Sequence, residues 1–207
     1  MKGSFVAVVA ATAVLCAAGA ANAGFTVHTS LASFNAATSA QGTDTYTGFS
    51  ITGVTASPIV RSAGAYGYTA SAANGFFGAG TVGDPWLSTN TATDSIVFSN
   101  FTGGASAFGG NFFDSNIAGA FAAGDIMITA VDSSGSVSQT IVGATTSSFL
   151  GFVSDGSLVS LTVAAVQPVS GFIWPTVDNF VLAQAIPAPG AAAMLGLGGM
   201  LAARRRR

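Results

Sequence analysis

Away from its two hydrophobic ends, this chain has nine side chains suited to acid–base chemistry or to holding a hard cation. They are Asp44, Asp84, Asp94, Asp114, Asp125, Asp132, Asp155, Asp178 and a single histidine, His28. General acid–base catalysis needs a positioned group with a tunable pKa, and covalent catalysis needs an activated nucleophile. No cysteine follows Cys16, and the many serines have only His28 to activate them. Two aspartates would suit glycoside hydrolysis. Yet all eight stand near turns or strand ends, where Asp is favoured for bonds to its own backbone, and no spacing singles out a pair. The expectation is a protein that is not an enzyme, with a weak glycoside hydrolase as the least favoured reading. His28 is expected to be a half-buried strand residue.

Binding offers more candidates. Asp114-Ser115-Asn116, Gly119 and Asp125 match positions 1, 3, 6 and 12 of a calcium loop. Ala118 stands at position 5, the closing acid is Asp rather than a longer Glu, and Phe112-Phe113 reads as strand rather than helix. A plain loop between strands is therefore expected, with calcium the one cofactor left open. Asp178-Asn179 is a second candidate ligand pair. For glycan, Trp86 after Pro85 and Trp174 before Pro175 are candidate platform residues, with Tyr66 and Tyr68 beside them. Aromatic residues in so Phe-rich a chain also serve as core or lid.

These residues belong to an acidic body. Between Gly24 and Ala185 one cation, Arg61, faces the eight aspartates, a formal charge of −7 with His28 neutral; the −2 of the whole chain conceals it. Such a surface repels nucleic acid and anionic headgroups, so no nucleic-acid partner is expected. The body uses no disulfide, and roughly 160 residues suffice for one core. Phe, Val, Ile and Thr spread among Gly, Ser and Asn suit strands and turns, while Glu is missing throughout and Lys occurs only as Lys2.

The elements expected from this pattern are short strands. They cover residues 25–28, 43–51 (bending at Gly48), 59–62, 65–70, 95–98, 105–113, 125–132, 136–142, 148–153, 158–166 and 177–183. One brief helix, capped by Thr29 or Ser30, runs through Leu31, Phe34 and Ala37. Asn74-Gly75 signals a hairpin returning at Phe76-Phe77, as do Asp132-Ser133-Ser134-Gly135 and Asp155-Gly156. Residues 78–93 read as loop. The expected class is all-β, an antiparallel β-sandwich of jelly-roll type. It is flanked by an N-terminal signal helix and a C-terminal transmembrane helix, with boundaries 1–23, 24–183 and 184–207.

Both flanks read as addresses. Lys2 begins a leader, residues 5–18 are apolar, and Ala21-Asn22-Ala23 is the small-x-small site of signal peptidase; cleavage is expected after Ala23. Leu15 before Cys16 argues against lipidation. At the other end Pro187-Ala188-Pro189 precedes an uncharged stretch and then Arg204, Arg205, Arg206 and Arg207. The uncharged run from Ile186 to Ala203 is at the lower limit for a hydrocarbon core of about 30 Å. The arginines would stay cytoplasmic by the positive-inside rule.

In that order, these three parts resemble a PEP-CTERM sorting signal, the tag that exosortase enzymes act on in Gram-negative-type bacteria. Ala188 stands where the family has glutamate. The resemblance implies an exported protein held briefly in the inner membrane with its C-terminus cytoplasmic. An exosortase-like enzyme then processes it, and it passes to the cell envelope or extracellular matrix. An ordinary uncut anchor is the alternative. The body resembles the globular part of PEP-CTERM proteins at Phe149-Leu150-Gly151-Phe152, Ser154-Asp155-Gly156 and Val177-Asp178-Asn179-Phe180. That implies a jelly roll related to carbohydrate-binding modules. The expected function is non-catalytic, and the alternative is a carbohydrate- or calcium-binding module that meets extracellular polysaccharide.

Overall fold

Period-two patterning sets the architecture: in residues 126–130, Ile126, Ile128 and Ala130 are buried while Met127 and Thr129 turn outward. The computed structural model describes residues 21–22 and 24–186. The leader through position 20, Ala23, Pro187, Ala188, Pro189 and Arg204 to Arg207 lie outside them. Among the described residues, β1 (Ala21–Asn22) and β2 (Phe25–His28) precede α1 (Leu31–Ala37). β3 (Thr38–Asp44), β4 (Val54–Thr55), β5 (Ile59–Ala63), β6 (Tyr66–Ser71) and β7 (Phe76–Phe77) follow. Next come β8 (Ala79–Thr81), β9 (Asp84–Ser88), β10 (Ile96–Ser99), β11 (Ala107–Ser115) and β12 (Phe121–Ala122). β13 (Gly124–Asp132), β14 (Gly135–Ala144), β15 (Phe149–Ser154), β16 (Leu158–Val166) and β17 (Trp174–Ala185) complete the series.

The described residues are mostly β, and their strands pair antiparallel. One sheet runs β1-β2-β15-β11-β17-β9-β8, with β3 also on β17 and β12 on β11. The other runs β14-β13-β16-β10-β6-β5, and β4 pairs β7 separately. Side chains from both large sheets share one core. Phe98 of β10 stacks on Phe180 of β17 with centroids 4.3 Å apart, and Tyr68 of β6 meets the same ring edge-on at 4.9 Å. Such aromatic pairs add about 0.5–1.5 kcal/mol beyond the area they bury.

The only helix among the described residues, α1, begins where expected: Ser33 donates its backbone N–H to the Ser30 hydroxyl, 3.2 Å away. Its one buried side chain, Phe34, packs on Ala107, Val181 and Ala183 and lies directly over Gly151. A Cβ at Gly151 would stand 2.4 Å from Phe34 Cδ2. Gly151→Ala should therefore lift the helix and cost about 1–3 kcal/mol, the usual penalty of overpacking. Urea unfolding reads this, and a variant as stable as the parent would refute the close fit.

Several expectations need correction. The strand expected over 43–51 runs over Thr38–Asp44 instead, because the Asp44 carboxylate accepts the Tyr46 N–H at 2.8 Å and turns the chain, with Tyr46 at φ +53°. Residues 78–93 are not all loop; β8 and β9 form a hairpin there, and β9 pairs β17. Asn74-Gly75 does not return the chain onto β6, since Phe76-Phe77 pairs β4 and Asp94 holds the Asn74 amide. Asp132–Gly135 is a hairpin, but Asp155-Gly156 carries the chain from one sheet to the other. The expected signal helix and transmembrane helix fall outside the described residues, among which no helix is long and apolar enough to cross a membrane.

Candidate functional site

The residues of the calcium-like pattern divide into separate tasks. Asp114, on β11, is fully buried, and neither carboxylate oxygen has a hydrogen-bond partner among the described residues. The β13 backbone presses on it: a Cβ at Gly124 would stand 2.7 Å from its Oδ2. Burial first, and then the charge of Asp125, push the Asp114 carboxyl up to about 7. Asp125 accepts the Gly143 N–H at 2.8 Å, joining the ends of β13 and β14. Asn116 turns its side-chain oxygen onto the Ala118 and Ala120 N–H groups at 2.9 and 3.1 Å, so it shapes the β11–β12 loop. The structure thus brings Asp114 and Asp125 together but commits Asn116 to its own backbone.

Asp178 is elsewhere in the first sheet, in register with Asn111. Burial raises its carboxyl to about 6; the Asn179 N–H opposes that shift, and the charge of Asp84 adds to it. The sheet bulges here, between Gly109 and Asn111, and Asn179 takes φ +50°. Among the described residues no three His, Cys, Asp or Glu side chains gather as metal ligands. His28 is partly buried; desolvation lowers its pKa, and its ring stands edge-on to Phe34.

Trp86 and Trp174 do not form one platform. Ser88 lies opposite Thr176 in the β9–β17 pairing, which places the two indoles about four residues apart along the strands, roughly 13 Å. Trp86 packs edge-on against Phe113 at 4.9 Å, and its indole N–H donates to Asp84 at 3.3 Å. Trp174 walls a cleft of ≈ 210 Å³ whose floor includes Ser88 and Ser115. Thr176 donates to Ser115 at 2.9 Å, and Ser88 donates to the Pro175 carbonyl at 3.0 Å, so these buried hydroxyls bond to one another and to the strand. Tyr66 and Tyr68 are both buried in the core.

Two groupings bring together residues that no spacing in the sequence joins. Arg61 forms a bidentate pair with Asp44 at 2.6 and 2.7 Å, and the Tyr68 hydroxyl donates to the same carboxylate at 2.7 Å. The guanidinium also lies over the Tyr46 and Phe49 rings, 5.1 and 5.8 Å from their centroids. Burial raises the Tyr68 pKa well above its ordinary value, and the Asp44 charge and hydrogen bond add to it, so the phenol stays protonated. This cluster fastens β3 to β5 and β6.

The second grouping is a cleft of ≈ 420 Å³ between α1, β3 and the outer face of the first sheet. Asn35, Gln41, Thr43, Asn111, Phe149 and Asn179 line it; α1 and β3 are consecutive, while β11, β15 and β17 come from much later in the chain. No charged side chain among the described residues lines it. The comparisons give no relative to set beside this geometry: no family model matches the chain, and no curated protein and no solved structure matches it.

Proposed function

We propose that this chain is a non-catalytic exported protein whose β body is delivered by an exosortase-type system to the cell envelope or extracellular matrix. The observation that carries the proposal is the order of parts after the last strand. β17 ends at Ala185, two residues before Pro187-Ala188-Pro189, and the uncharged stretch and Arg204 to Arg207 follow directly. The front end supports the same reading. Gly24, the expected first mature residue, accepts the Asp155 N–H at 2.9 Å and lies against Asp132 and Ser134. Signal peptidase acting after Ala23 would remove the two-residue β1 and leave Gly24, already held by Asp155, as the first residue of the fold.

The absence of catalysis is proposed on the candidates themselves. His28 faces Phe34, Asp114 lies sealed in the interior, and Asp178 is tied to Asn179, so none of them meets a nucleophile. A jelly-roll topology is part of the proposal. From β14 onward the chain alternates sheets at every step, β14 and β16 in one, β15 and β17 in the other, as in double-sheet rolls.

The test uses the tail. With Arg204 to Arg207 all changed to serine, the cytoplasmic stop is gone and processing should fall to a small fraction of that in the parent. Mass spectrometry of the exported protein's C-terminus decides the matter. An intact Arg207 on the parent protein outside the cell overturns the proposal.

A further inference from the structure

The cleft beside α1 has an excess of hydrogen-bonding groups that the fold does not use. Neither Asn35 nor Asn111 makes a side-chain hydrogen bond among the described residues; their neighbours Gln41 and Asn179 donate to Thr38 and Asp178 and keep their amide oxygens uncommitted. Each free amide offers a donor and an acceptor side by side, and Thr43 adds a hydroxyl. Phe149 supplies an apolar wall; its ring rests against Gly109 and Gly151 and tilts against Phe34 at 5.6 Å. The volume, ≈ 420 Å³, lies within the about 300–1,000 Å³ of small-molecule sites.

We propose that this cleft binds a neutral, hydroxyl-rich carbohydrate. Adjacent amides match vicinal hydroxyls, which also donate and accept in pairs, and a partly exposed aromatic ring matches the C–H face of a sugar. Without a charged lining the site has nothing to offset the desolvation of an acidic or basic ligand. The face of β3 that bears Gly42 meets the β5–β6 turn so closely that a Cβ there would stand 2.1 Å from the Ala63 carbonyl oxygen, so β3 is held rigidly beside the cleft.

The backbone on both flanks is held in a conformation that L residues rarely adopt. Ala40 stands at φ +52° beside Gln41, with its carbonyl accepting the Tyr66 hydroxyl at 2.7 Å, and Asn179 stands at φ +50° on the bulge. Strain of this kind clusters at ligand clamps, and here it lies immediately beside two of the lining amides. The inference goes beyond the sorting reading and does not rest on it, since binding is measured on purified protein wherever the cell places it.

The experiment immobilises the full chain in a zwitterionic, sugar-free detergent. It measures retention of soluble β-glucan, galactomannan and arabinogalactan, with alginate as the acidic control and a mixed peptide library as the non-sugar control. At least one neutral polysaccharide should bind, and Asn35→Ala should weaken it at least tenfold. Asn111→Ala and Asn179→Gly, the latter keeping the positive φ, should do the same, while Trp174→Ala changes it less than twofold. Asn35 is exposed on α1, and its replacement by alanine suits a helix, so it keeps the test open if the two strand variants fold poorly. Retention of alginate or peptide alone, binding lost only in Trp174→Ala, or no neutral glycan retained at millimolar sugar would each overturn the proposal.

Discussion

Replacing Arg61 with alanine should cost about 3 kcal/mol of folding stability, a large share of the 5–15 kcal/mol typical of a whole domain. The guanidinium is the only cation in the body, and its side chain is 21% exposed against 6% for Asp44. Its loss leaves the Asp44 carboxylate buried, with the Tyr68 hydroxyl and the Tyr46 N–H as remaining donors. Breaking a buried pair strands a charge in this way and costs about 3–5 kcal/mol; the partial exposure of Arg61 favours the lower end. Lysine should not rescue it fully, because a single ammonium cannot make the two parallel bonds or lie over Tyr46 and Phe49 as a planar guanidinium does. Urea midpoints of Arg61→Ala, Asp44→Asn and the double variant measure this directly. A loss below about 1 kcal/mol would place the pair among solvent-screened surface bridges.

The sequence announced this cluster only in part. Arg61 stood out as the lone cation and Asp44 as one of eight acids, but they are seventeen positions apart in a stretch where the strand boundary was misplaced. The expected strand over 43–51 ran through the turn that Asp44 itself creates. Local pattern could not register that the Asp44 side chain outcompetes the ladder by capping the Tyr46 N–H. Strands with clean alternation, such as β13 and β16, were legible because burial on one face leaves a period of two. β8 and β9 were not, since Gly, Pro and Asp inside Ala79–Ser88 carry turn chemistry. β9 becomes a strand because β17 is there to pair with, and β8 folds back onto β9.

The sites show the same division. Asp114 and Asp125 are legible as two positions of a calcium-loop pattern, and they lie close enough for the charge of Asp125 to raise the Asp114 carboxyl. The role of Asn116 was not readable, because an Asx turn and a cation loop place the same residue types at the same spacing. Trp86 and Trp174 were chosen by residue type, yet strand register separates them. The amide cleft needed register as well: Asn35, Gln41, Asn111 and Asn179 become neighbours only when α1 folds over β15 and β3 docks on β17. Phe149-Leu150-Gly151 belonged to the resemblance, and its physical content is the seat for Phe34.

Asp114 carries the second large effect, and its sign is unusual for an acidic protein. A carboxyl held at about 7 in the folded state and near 3.8 in the unfolded chain keeps its proton on folding across that interval. Where the native state binds more protons, stability falls as pH rises. About three units correspond to on the order of 4 kcal/mol between pH 4 and pH 8, or roughly 10 °C in melting temperature for a domain of this size. Asp178, at about 6, works in the same direction between pH 4 and pH 6. Asp132 opposes both at the acid end. Burial disfavours its charge, but bonds from Ser154, Ser134 and Gly135 outweigh that and lower its pKa, so its contribution is lost only as pH falls below the ordinary Asp range. His28, whose pKa desolvation lowers, works the other way just below 6.5, but the two raised carboxyls outweigh it, so maximum stability should lie on the acid side of neutrality. Melts at pH 4.5, 6 and 8 should show a decline toward pH 8, and Asp114→Asn should remove most of its part above pH 6, where Asp178 no longer contributes; a profile flat or rising between pH 6 and pH 8 in the parent contradicts it. Calcium added at pH 8 separates a sealed acid from a cation ligand. A melting temperature raised by calcium in the parent, but not in Asp114→Asn, would give Asp114 and Asp125 to a metal, because only a ligand of the native state shifts the equilibrium this way. An unchanged temperature leaves Asp114 as a sealed acid, without a metal, whose burial ties the strength of the fold to external pH.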